Sequence, residues 1–332
     1  MRASIGLFLL LCLLSWSTYG QDMKVDITAD GKADTSYMTK WDSASDCVVL
    51  YRDVSVAGVI AARVQCKDGV AKSYYPLRDF PEARNMTIWA AAATPDRGIM
   101  IAAVLLYGEP DKKNPPVKSM LLTYDAQGVL RKVWDVDPYH FHQVAVDTQG
   151  DVFALGDRRD STPDMNYPLL IKYSSKGSVQ RELLEVKHFG GDAAVASDSP
   201  YGESAVFIQN QQLYVWLAPR REILTFSLDG ELRSRVSLAS SLNEPATSTH
   251  SRLAQVLCLS ANRAGLIAQV RLWPEAQEEK SRTGMVQLAG DGTSAKIITP
   301  LTEVFAPGRF LGTNSSGRNV FLDAYTGTVK EY

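Results

Sequence analysis

The sequence Met120-Leu-Leu-Thr-Tyr-Asp-Ala-Gln-Gly128 continues as Val129-Leu-Arg-Lys-Val-Trp-Asp-Val136, and Val144-Ala-Val-Asp-Thr-Gln-Gly150 leads into Asp151-Val-Phe-Ala-Leu155. Each pair contains two segments of alternating apolar residues joined by a polar turn that ends in glycine. Alternation with a period of two is typical of half-buried β-strands, and a glycine that closes a short polar turn is typical of a hairpin. This part of the chain is therefore predicted to form two successive β-hairpins.

Hairpins of two kinds alternate along the rest of the chain. One kind has a turn like Tyr124-Asp-Ala-Gln-Gly128 or Phe226-Ser-Leu-Asp-Gly230. The other has a polar turn followed by a strongly apolar strand, as at Asn314-Ser-Ser-Gly317. Turns of one kind return about every 50 to 60 residues, which is the size of a four-stranded propeller blade. The pattern predicts an all-β protein, a six-bladed β-propeller of four-stranded antiparallel blades.

The predicted blades follow one another along the chain as Cys47–Leu77, Met86–Val136, Gln143–Leu184, Ala205–Leu238, Leu253–Ile298 and Arg309–Tyr332. The segment Met23–Ala29 alternates like a strand and is expected to complete the last blade, which would protect an otherwise unpaired edge. Seven blades are the alternative, if the region Thr28–Trp41 contains another hairpin. In both cases residues 21–332 are predicted to form a single propeller domain.

The first 20 residues have the features of a cleavable signal peptide. Arg2 supplies a positive charge, Ile5–Leu14 form an apolar run too short to span a bilayer, and small residues Thr18 and Gly20 precede a plausible cut before Gln21. The mature protein is therefore expected to be secreted or periplasmic, with no membrane span.

The net charge limits the kinds of partner that are expected, and the cysteines bear on the redox state of the compartment. The formal net charge of -2 gives no basic footprint, so no nucleic-acid partner is expected. Without the leader three cysteines remain, and an oxidising compartment permits a disulfide. Cys47 and Cys66 belong to neighbouring predicted strands and are the candidate pair, whereas Cys258 is expected to be an inert buried thiol.

One repeat carries a family resemblance. Leu213-Tyr-Val-Trp-Leu-Ala-Pro-Arg-Arg-Glu-Ile-Leu-Thr-Phe-Ser-Leu-Asp-Gly230 joins an apolar strand, a basic connection, a second strand and a turn glycine. It resembles the repeat of NHL-type six-bladed β-propellers, of the TolB-like superfamily type. Leu322-Asp-Ala-Tyr-Thr-Gly327 is similar to the turn of quinoprotein propeller repeats. These resemblances imply a fold and no particular function, because propellers serve as enzymes, ligand binders and scaffolds.

The longer connections, between hairpins and between blades, are expected on one face, where functional residues concentrate. Two arginine pairs in these connections suit a carboxylate or phosphate partner and are the candidate binding residues: Arg158, Arg159, Arg220 and Arg221. As ordinary surface arginines they would have no such role, and the sequence leaves both interpretations open.

All four histidines fall in connections that precede predicted inner strands, and they are candidate metal ligands: His140, His142, His188 and His250. Three neutral imidazoles that converge at a channel mouth would suit zinc with an open position. This arrangement is similar in outline to that of propeller lyases that cleave peptidyl-hydroxyglycine, where a loop tyrosine such as Tyr139 would act as acid or base. Chance clustering is the alternative, because the chain has few histidines and many loop residues.

A related class of calcium-dependent propeller lactonases would need acidic and amide side chains in the channel, for which the loop residues are Glu109, Asp137, Asp192 and Asn243. No spacing selects them, so zinc or calcium stays an alternative and no cofactor is predicted. The favoured interpretation is an exported propeller that binds an unknown ligand, peptide or protein on its loop-rich face without catalysis. A zinc- or calcium-dependent hydrolase or lyase is the alternative.

Overall fold

The computed structural model describes residues 23–25, 27–29, 32–33, 37–67, 69–108, 116–160, 167–185, 204–218, 222–237, 251–262, 264–274, 282–288, 295–297, 308–323 and 326–332. The leader, His188, His250, Arg220 and Arg221 lie outside these ranges. Within them the chain is almost entirely β-structure, with one short 3₁₀ helix at Pro76–Asp79.

Six four-stranded antiparallel sheets follow three short N-terminal strands. The N-terminal strands are β1 (Met23–Lys24), β2 (Thr28–Ala29) and β3 (Lys32–Ala33). Blade 1 has β4 (Met38–Asp42), β5 (Cys47–Tyr51), β6 (Ala62–Cys66) and β7 (Lys72–Tyr74). Blade 2 has β8 (Ala83–Ala93), β9 (Ile99–Tyr107), β10 (Val117–Tyr124) and β11 (Leu130–Asp135). Blade 3 has β12 (Tyr139–Val146), β13 (Val152–Arg158), β14 (Pro168–Tyr173) and β15 (Val179–Glu185).

The second half of the chain continues the same arrangement. Blade 4 has β16 (Ala205–Gln209), β17 (Gln212–Leu217), β18 (Glu222–Ser227) and β19 (Leu232–Ser237). Blade 5 has β20 (Ser251–Asn262), β21 (Gly265–Pro274), β22 (Arg282–Leu288) and β23 (Ala295–Ile297). Blade 6 has β24 (Gly308–Thr313), β25 (Asn319–Asp323) and β26 (Thr328–Glu331), and its fourth strand is β1.

The first strand of each blade contacts the first strand of the next, and β24 contacts β4, so the six inner strands close into a ring around a central channel. The predicted six-bladed propeller is confirmed. Its core lies between the blades, as separate apolar clusters that join each pair of neighbours. Blade 1 also contains a disulfide between Cys47 and Cys66, which face each other on adjacent strands.

The start of blade 1 differs from the prediction. The blade begins at Met38 rather than at Cys47, because Met38–Asp42 pairs along its length with Cys47–Tyr51 and forms the inner strand. The alternative of seven blades is wrong. Thr28–Ala29 pairs only with Lys32–Ala33 among the described residues and adds a small hairpin, not a blade.

The ring closes through the N-terminal segment, as expected. Met23 pairs with Val329 and Lys24 with Thr328, which makes β1 the outermost strand of blade 6. The Val25 amide donates to the Gly327 carbonyl at 2.7 Å. The two ends of the domain therefore hold one blade together, and the predicted strand stops at Lys24 instead of continuing to Ala29.

The turn chemistry read from the sequence is present in the structure. In the turns that begin at Asp125 and Asp147, Oδ1 of the aspartate accepts hydrogen bonds from the amides two and four residues further on. Gly128 closes the first of these turns with φ at +80°, which favours glycine. Turns within hairpins lie on one face of the ring, and the described longer connections, such as 52–61 and 75–82, lie on the other, here called the loop face.

Candidate functional site

Two neighbouring inner strands carry a β-bulge near the loop face. The pairing of β8 with β9 shifts between Ile88 and Ala90, so that Trp89 is the extra residue. The pairing of β12 with β13 shifts between Phe141 and Gln143, so that His142 is the extra residue. A bulge takes its extra residue out of the alternation of the strand and re-aims the side chain.

The two bulges bring Trp89 and His142 together with their rings in an edge-to-face arrangement, 4.8 Å between centroids. His140 stacks nearly parallel to the same indole, 6.5 Å away. Trp89 is 36% exposed, whereas His142 is only 3% exposed. Trp89 is thus an exposed aromatic side chain with an imidazole on each of two neighbouring contacts, and we call Trp89, His140 and His142 the mouth cluster.

Gly156 makes the bulge in β12 possible. It lies opposite Phe141 in the sheet, and a Cβ atom at position 156 would come within 1.9 Å of the His140 carbonyl oxygen. No real Cβ atom approaches a backbone oxygen so closely, so only glycine fits beside this backbone. The glycine therefore sets the position of both histidines.

The two imidazoles differ in their polar partners. His142 Nε2 lies 2.9 Å from Asp157 Oδ1. His140 Nε2 is buried and has no hydrogen-bond partner among the described residues. Burial lowers the pKa of His140, as do Arg159 and His142, while Asp157 and Asp137 raise it. A buried ring nitrogen without a partner is costly, and a ligand hydroxyl or amide would satisfy it.

Lys40 crosses the channel below the mouth cluster. From β4 in blade 1, its ammonium donates to the carbonyl of Val144 in blade 3 at 2.8 Å and to that of Val206 in blade 4 at 3.3 Å. Val144 lies two residues after His142 on β12, which is roughly 7 Å further along the strand. Lys40 therefore forms the floor of the mouth.

The channel is bridged again at the end where the inner strands finish. Ser43 Oγ of blade 1 donates to the Ile208 carbonyl of blade 4 at 2.9 Å. Thr313 Oγ1 lies 2.7 Å from Gln209 Oε1, 2.8 Å from Ser260 Oγ and 2.6 Å from the Ala261 carbonyl. These side chains, here called the closing network, come from blades 4, 5 and 6 and are buried with partners.

The predicted binding arginines that the structure describes are engaged with aspartates. Arg158 forms a two-point ion pair with Asp160 at 2.9 and 2.7 Å, and its guanidinium lies 5.7 Å from the Tyr139 ring centroid. Arg159 is 2.9 Å from Asp137. Both pairs stand at the rim beside His140. Arg220 and Arg221 lie outside the described residues.

The histidines do not form a metal site within the part of the chain that the structure describes. No group of three or more His, Cys, Asp or Glu side chains there is arranged to hold a metal ion. His140 and His142 lie inside β12 rather than in the connection before it, which corrects the prediction. His188 and His250 lie outside the described residues, as do Glu109, Asp192 and Asn243.

Sequence reasoning missed Trp89 and Lys40. Trp89 stands in the continuous apolar run Ile88–Ala93, where no alternation reveals which residue is the extra one of a bulge. Lys40 stands in Met38-Thr-Lys-Trp-Asp42, which reads as a polar segment. The available signal was a lone lysine two residues before the buried Asp42, directly ahead of an apolar strand.

No protein-family model matches the chain, and no curated protein matches it. Solved structures with a similar fold include a putative exported protein from Bacteroides fragilis, at 9% identity and a TM-score of 0.48, covering 90% of this chain and 82% of that one. An auxiliary nutrient binding protein from Bacteroides ovatus has 9% identity and a TM-score of 0.45, with coverages of 90% and 69%.

A gluconolactonase from Xanthomonas campestris has 13% identity and a TM-score of 0.41, with coverages of 89% and 85%. Likenesses at these values carry no conclusion about function.

Among the described residues there is no helix of sufficient length and apolarity to cross a membrane.

Proposed function

We propose that the protein binds a small polar ligand with a flat ring at the channel mouth on its loop face. The observation that carries this proposal is the mouth cluster, in which an exposed indole stands beside a buried His140 Nε2 that has no partner among the described residues. Ligand sites combine an apolar surface with a few polar groups, and a bound ligand supplies the contacts that both lack.

The size and chemistry of the mouth support a ligand of one ring. A planar or sugar ring would cover the face of Trp89, and a ligand hydroxyl or amide would bond His140 Nε2 after a small rotation of the imidazole that exposes this buried atom. Lys40, roughly 7 Å deeper, limits how far the ligand extends. Surface arginines contribute less to this proposal, because Arg158 and Arg159 already pair with aspartates.

Ligand screening by thermal shift and by tryptophan fluorescence tests the proposal, with monosaccharides, their acids and small aromatic compounds as the panel. A ligand should raise the melting temperature of the wild type and lose about fivefold or more in affinity in Trp89→Ala, because a stacked ring contributes about 1 kcal/mol or more. Val133→Ala, an exposed residue on the outer strand of the same blade, is the matched control and should bind normally.

A second candidate function is a metal-dependent hydrolase or lyase, favoured by the hydrogen bond between His142 and Asp157. A carboxylate that orients an imidazole is the usual support of both a general base and a zinc ligand. Metal analysis of protein purified without a histidine tag tests it. Stoichiometric zinc that is lost in His142→Ala and in His188→Ala would favour this function, whereas metal-free protein would exclude the zinc enzyme.

We also propose that the protein is exported and that it is related to NHL-type propellers. The predicted leader at residues 1–20 supports a secreted or periplasmic location, and the repeat at Leu213–Gly230 supports relation to NHL-type propellers. Intact-mass analysis of the secreted chain should place the mature N-terminus at Gln21. A secreted chain whose mass still includes residues 1–20 would contradict cleavage.

A further inference from the structure

Asp157 places a carboxylate beside the mouth cluster. It lies directly opposite His140 in the pairing of β13 with β12, and residues opposite each other in a sheet project from the same face. Its Oδ1 lies 2.9 Å from Nε2 of His142, whose ring in turn contacts Trp89. A single side chain therefore separates this carboxylate from the exposed indole.

One oxygen of this carboxylate is engaged and the other is not. Because an ionised carboxylate accepts hydrogen bonds and donates none, His142 donates to Oδ1 through Nε2. Oδ2 has no hydrogen-bond or ion-pair partner among the described residues, and the Asp157 side chain is 25% exposed. His142 thus orients the carboxylate and leaves an acceptor oxygen on a partly exposed side chain.

The other charges at the rim are matched in pairs. Asp137 forms an ion pair with Arg159, and Asp160 forms one with Arg158. Asp157 has no lysine or arginine within ion-pair distance in the described part of the chain, so its negative charge is left over at the mouth. Such a charge repels a carboxylate or phosphate and attracts a hydrogen-bond donor.

Lys40, below the mouth, does not reverse this balance. Burial lowers the pKa of Lys40 and raises the pKa of Asp42, and the charge of each residue opposes this effect on the other. Whether both groups are ionised or both are neutral, together they add no net charge. The charge of Asp157 therefore decides which ligands the mouth attracts.

An exposed indole beside a carboxylate oxygen suits the two kinds of surface that a sugar has. A pyranose ring presents an apolar C–H face, which can cover an indole, and hydroxyl groups at its edge, which donate to carboxylates. We propose that the mouth binds a non-acidic sugar and that Asp157 determines this specificity, accepting hydrogen bonds from the hydroxyls and repelling sugar acids and sugar phosphates. This inference rests on the proposed function and specifies its ligand class.

A cation fits the mouth less well than a sugar. Quaternary ammonium groups are held by cages of several aromatic rings. Trp89 is the one exposed ring of the mouth cluster, since His142 is buried and His140 is half-buried. A single indole with a carboxylate beside it therefore favours a ring that carries hydroxyl groups.

NMR titration with matched sugars tests this specificity. Glucose, galactose and mannose are each compared with the uronic acid of the same ring, which has a carboxylate in place of the hydroxymethyl group. At low salt, at least one neutral sugar should bind the wild type about fivefold or more tightly than its uronic acid, because the acid meets the charge of Asp157. Added salt should reduce this difference by screening the repulsion.

Asp157→Asn keeps the shape of the side chain and removes its charge. The neutral sugar should bind about fivefold or more weakly, because an amide oxygen is a weaker acceptor than a carboxylate, and the uronic acid should lose little affinity or gain some. Asp229→Asn removes the same charge from an exposed position in a hairpin turn on the opposite face and should leave both affinities unchanged. Melting temperatures check folding, and the salt dependence of the wild type provides the test if Asp157→Asn does not fold.

The outcomes separate this inference from the proposed function. Binding of the uronic acid as tight as that of the neutral sugar, or a loss by the same factor for both in Asp157→Asn, overturns the role of Asp157. Tighter binding of tetramethylammonium than of any sugar, or binding of aromatic compounds alone, overturns the sugar and leaves the mouth in place. Undiminished binding of every probe to Trp89→Ala overturns the mouth itself, and absence of binding by all the probes to the wild type overturns both proposals.

Discussion

The mouth cluster on β8 and β12 and the closing network on β16, β20 and β24 belong to one ring of inner strands but treat their polar groups in opposite ways. At the end where these strands finish, Gln209, Ser260 and Thr313 are buried and mutually hydrogen-bonded. At the mouth, Trp89 is exposed and His140 Nε2 has no partner among the described residues. A satisfied network fixes the ring, whereas the unsatisfied cluster is where we propose that a ligand binds.

The largest effect is expected from Gly156→Ala. The new Cβ would overlap the His140 carbonyl, so the bulge in β12 has to rearrange. We expect a loss of about 3 kcal/mol or more in the free energy of unfolding, measured in urea, together with loss of ligand binding at the mouth. Gly58→Ala, where a Cβ meets nothing within 4 Å, is the control and should have almost no effect.

A smaller effect, confined to stability, is expected from Thr313→Val in the closing network. The substitution keeps the shape but leaves Gln209 Oε1 and Ser260 Oγ short of a partner. We expect a loss of about 1–3 kcal/mol in the free energy of unfolding, with ligand affinity unchanged. A stability equal to that of the wild type would show that the network does not hold this end of the ring.

The contrast between the ends also has a pH dependence. Burial lowers the pKa of His140 in the folded protein below its value near 6.5 in the unfolded chain, despite the opposing charges of Asp157 and Asp137. The unfolded state therefore binds more protons, and stability falls as the pH falls through this window. His140→Gln should reduce the loss of stability between about pH 7.5 and pH 5 in urea titrations, relative to the wild type. An unchanged pH dependence would contradict burial as the cause.

The smallest effect is expected from Arg159→Gln at the rim. Its ion pair with Asp137 is solvated on both sides, and such pairs contribute about 0–1 kcal/mol. We expect a change in the free energy of unfolding of less than about 0.5 kcal/mol and nearly unchanged ligand affinity. A large loss of affinity would move the binding site outward from Trp89 to the rim arginines.

The architecture could be predicted from the sequence because similar turn residues recur from blade to blade. Turns such as Asp125–Gly128 have a fixed residue pattern because the aspartate and the glycine each meet a backbone requirement. These local signals gave the blade count and the N-terminal latch.

The site was less predictable because it depends on contacts between blades. Lys40 donates hydrogen bonds to carbonyls that are 104 and 166 residues away in the chain, and no local sequence pattern predicts contacts at that separation. His140 was predicted from its residue type as a candidate metal ligand, and the role that we propose for it depends on Trp89, whose bulge is hidden in an apolar run. Arg158 and Arg159 were predicted to bind a ligand because of their positive charge, but each forms an ion pair with a neighbouring aspartate.

The shared construction of blade 6 has a consequence for biogenesis. Met23 leaves the ribosome about 300 residues before Val329, an interval of roughly 15–60 s at ordinary rates of synthesis. Any blades that folded within this interval would leave an unpaired sheet edge at each end of an incomplete ring. The circle becomes complete only when β26 pairs with β1.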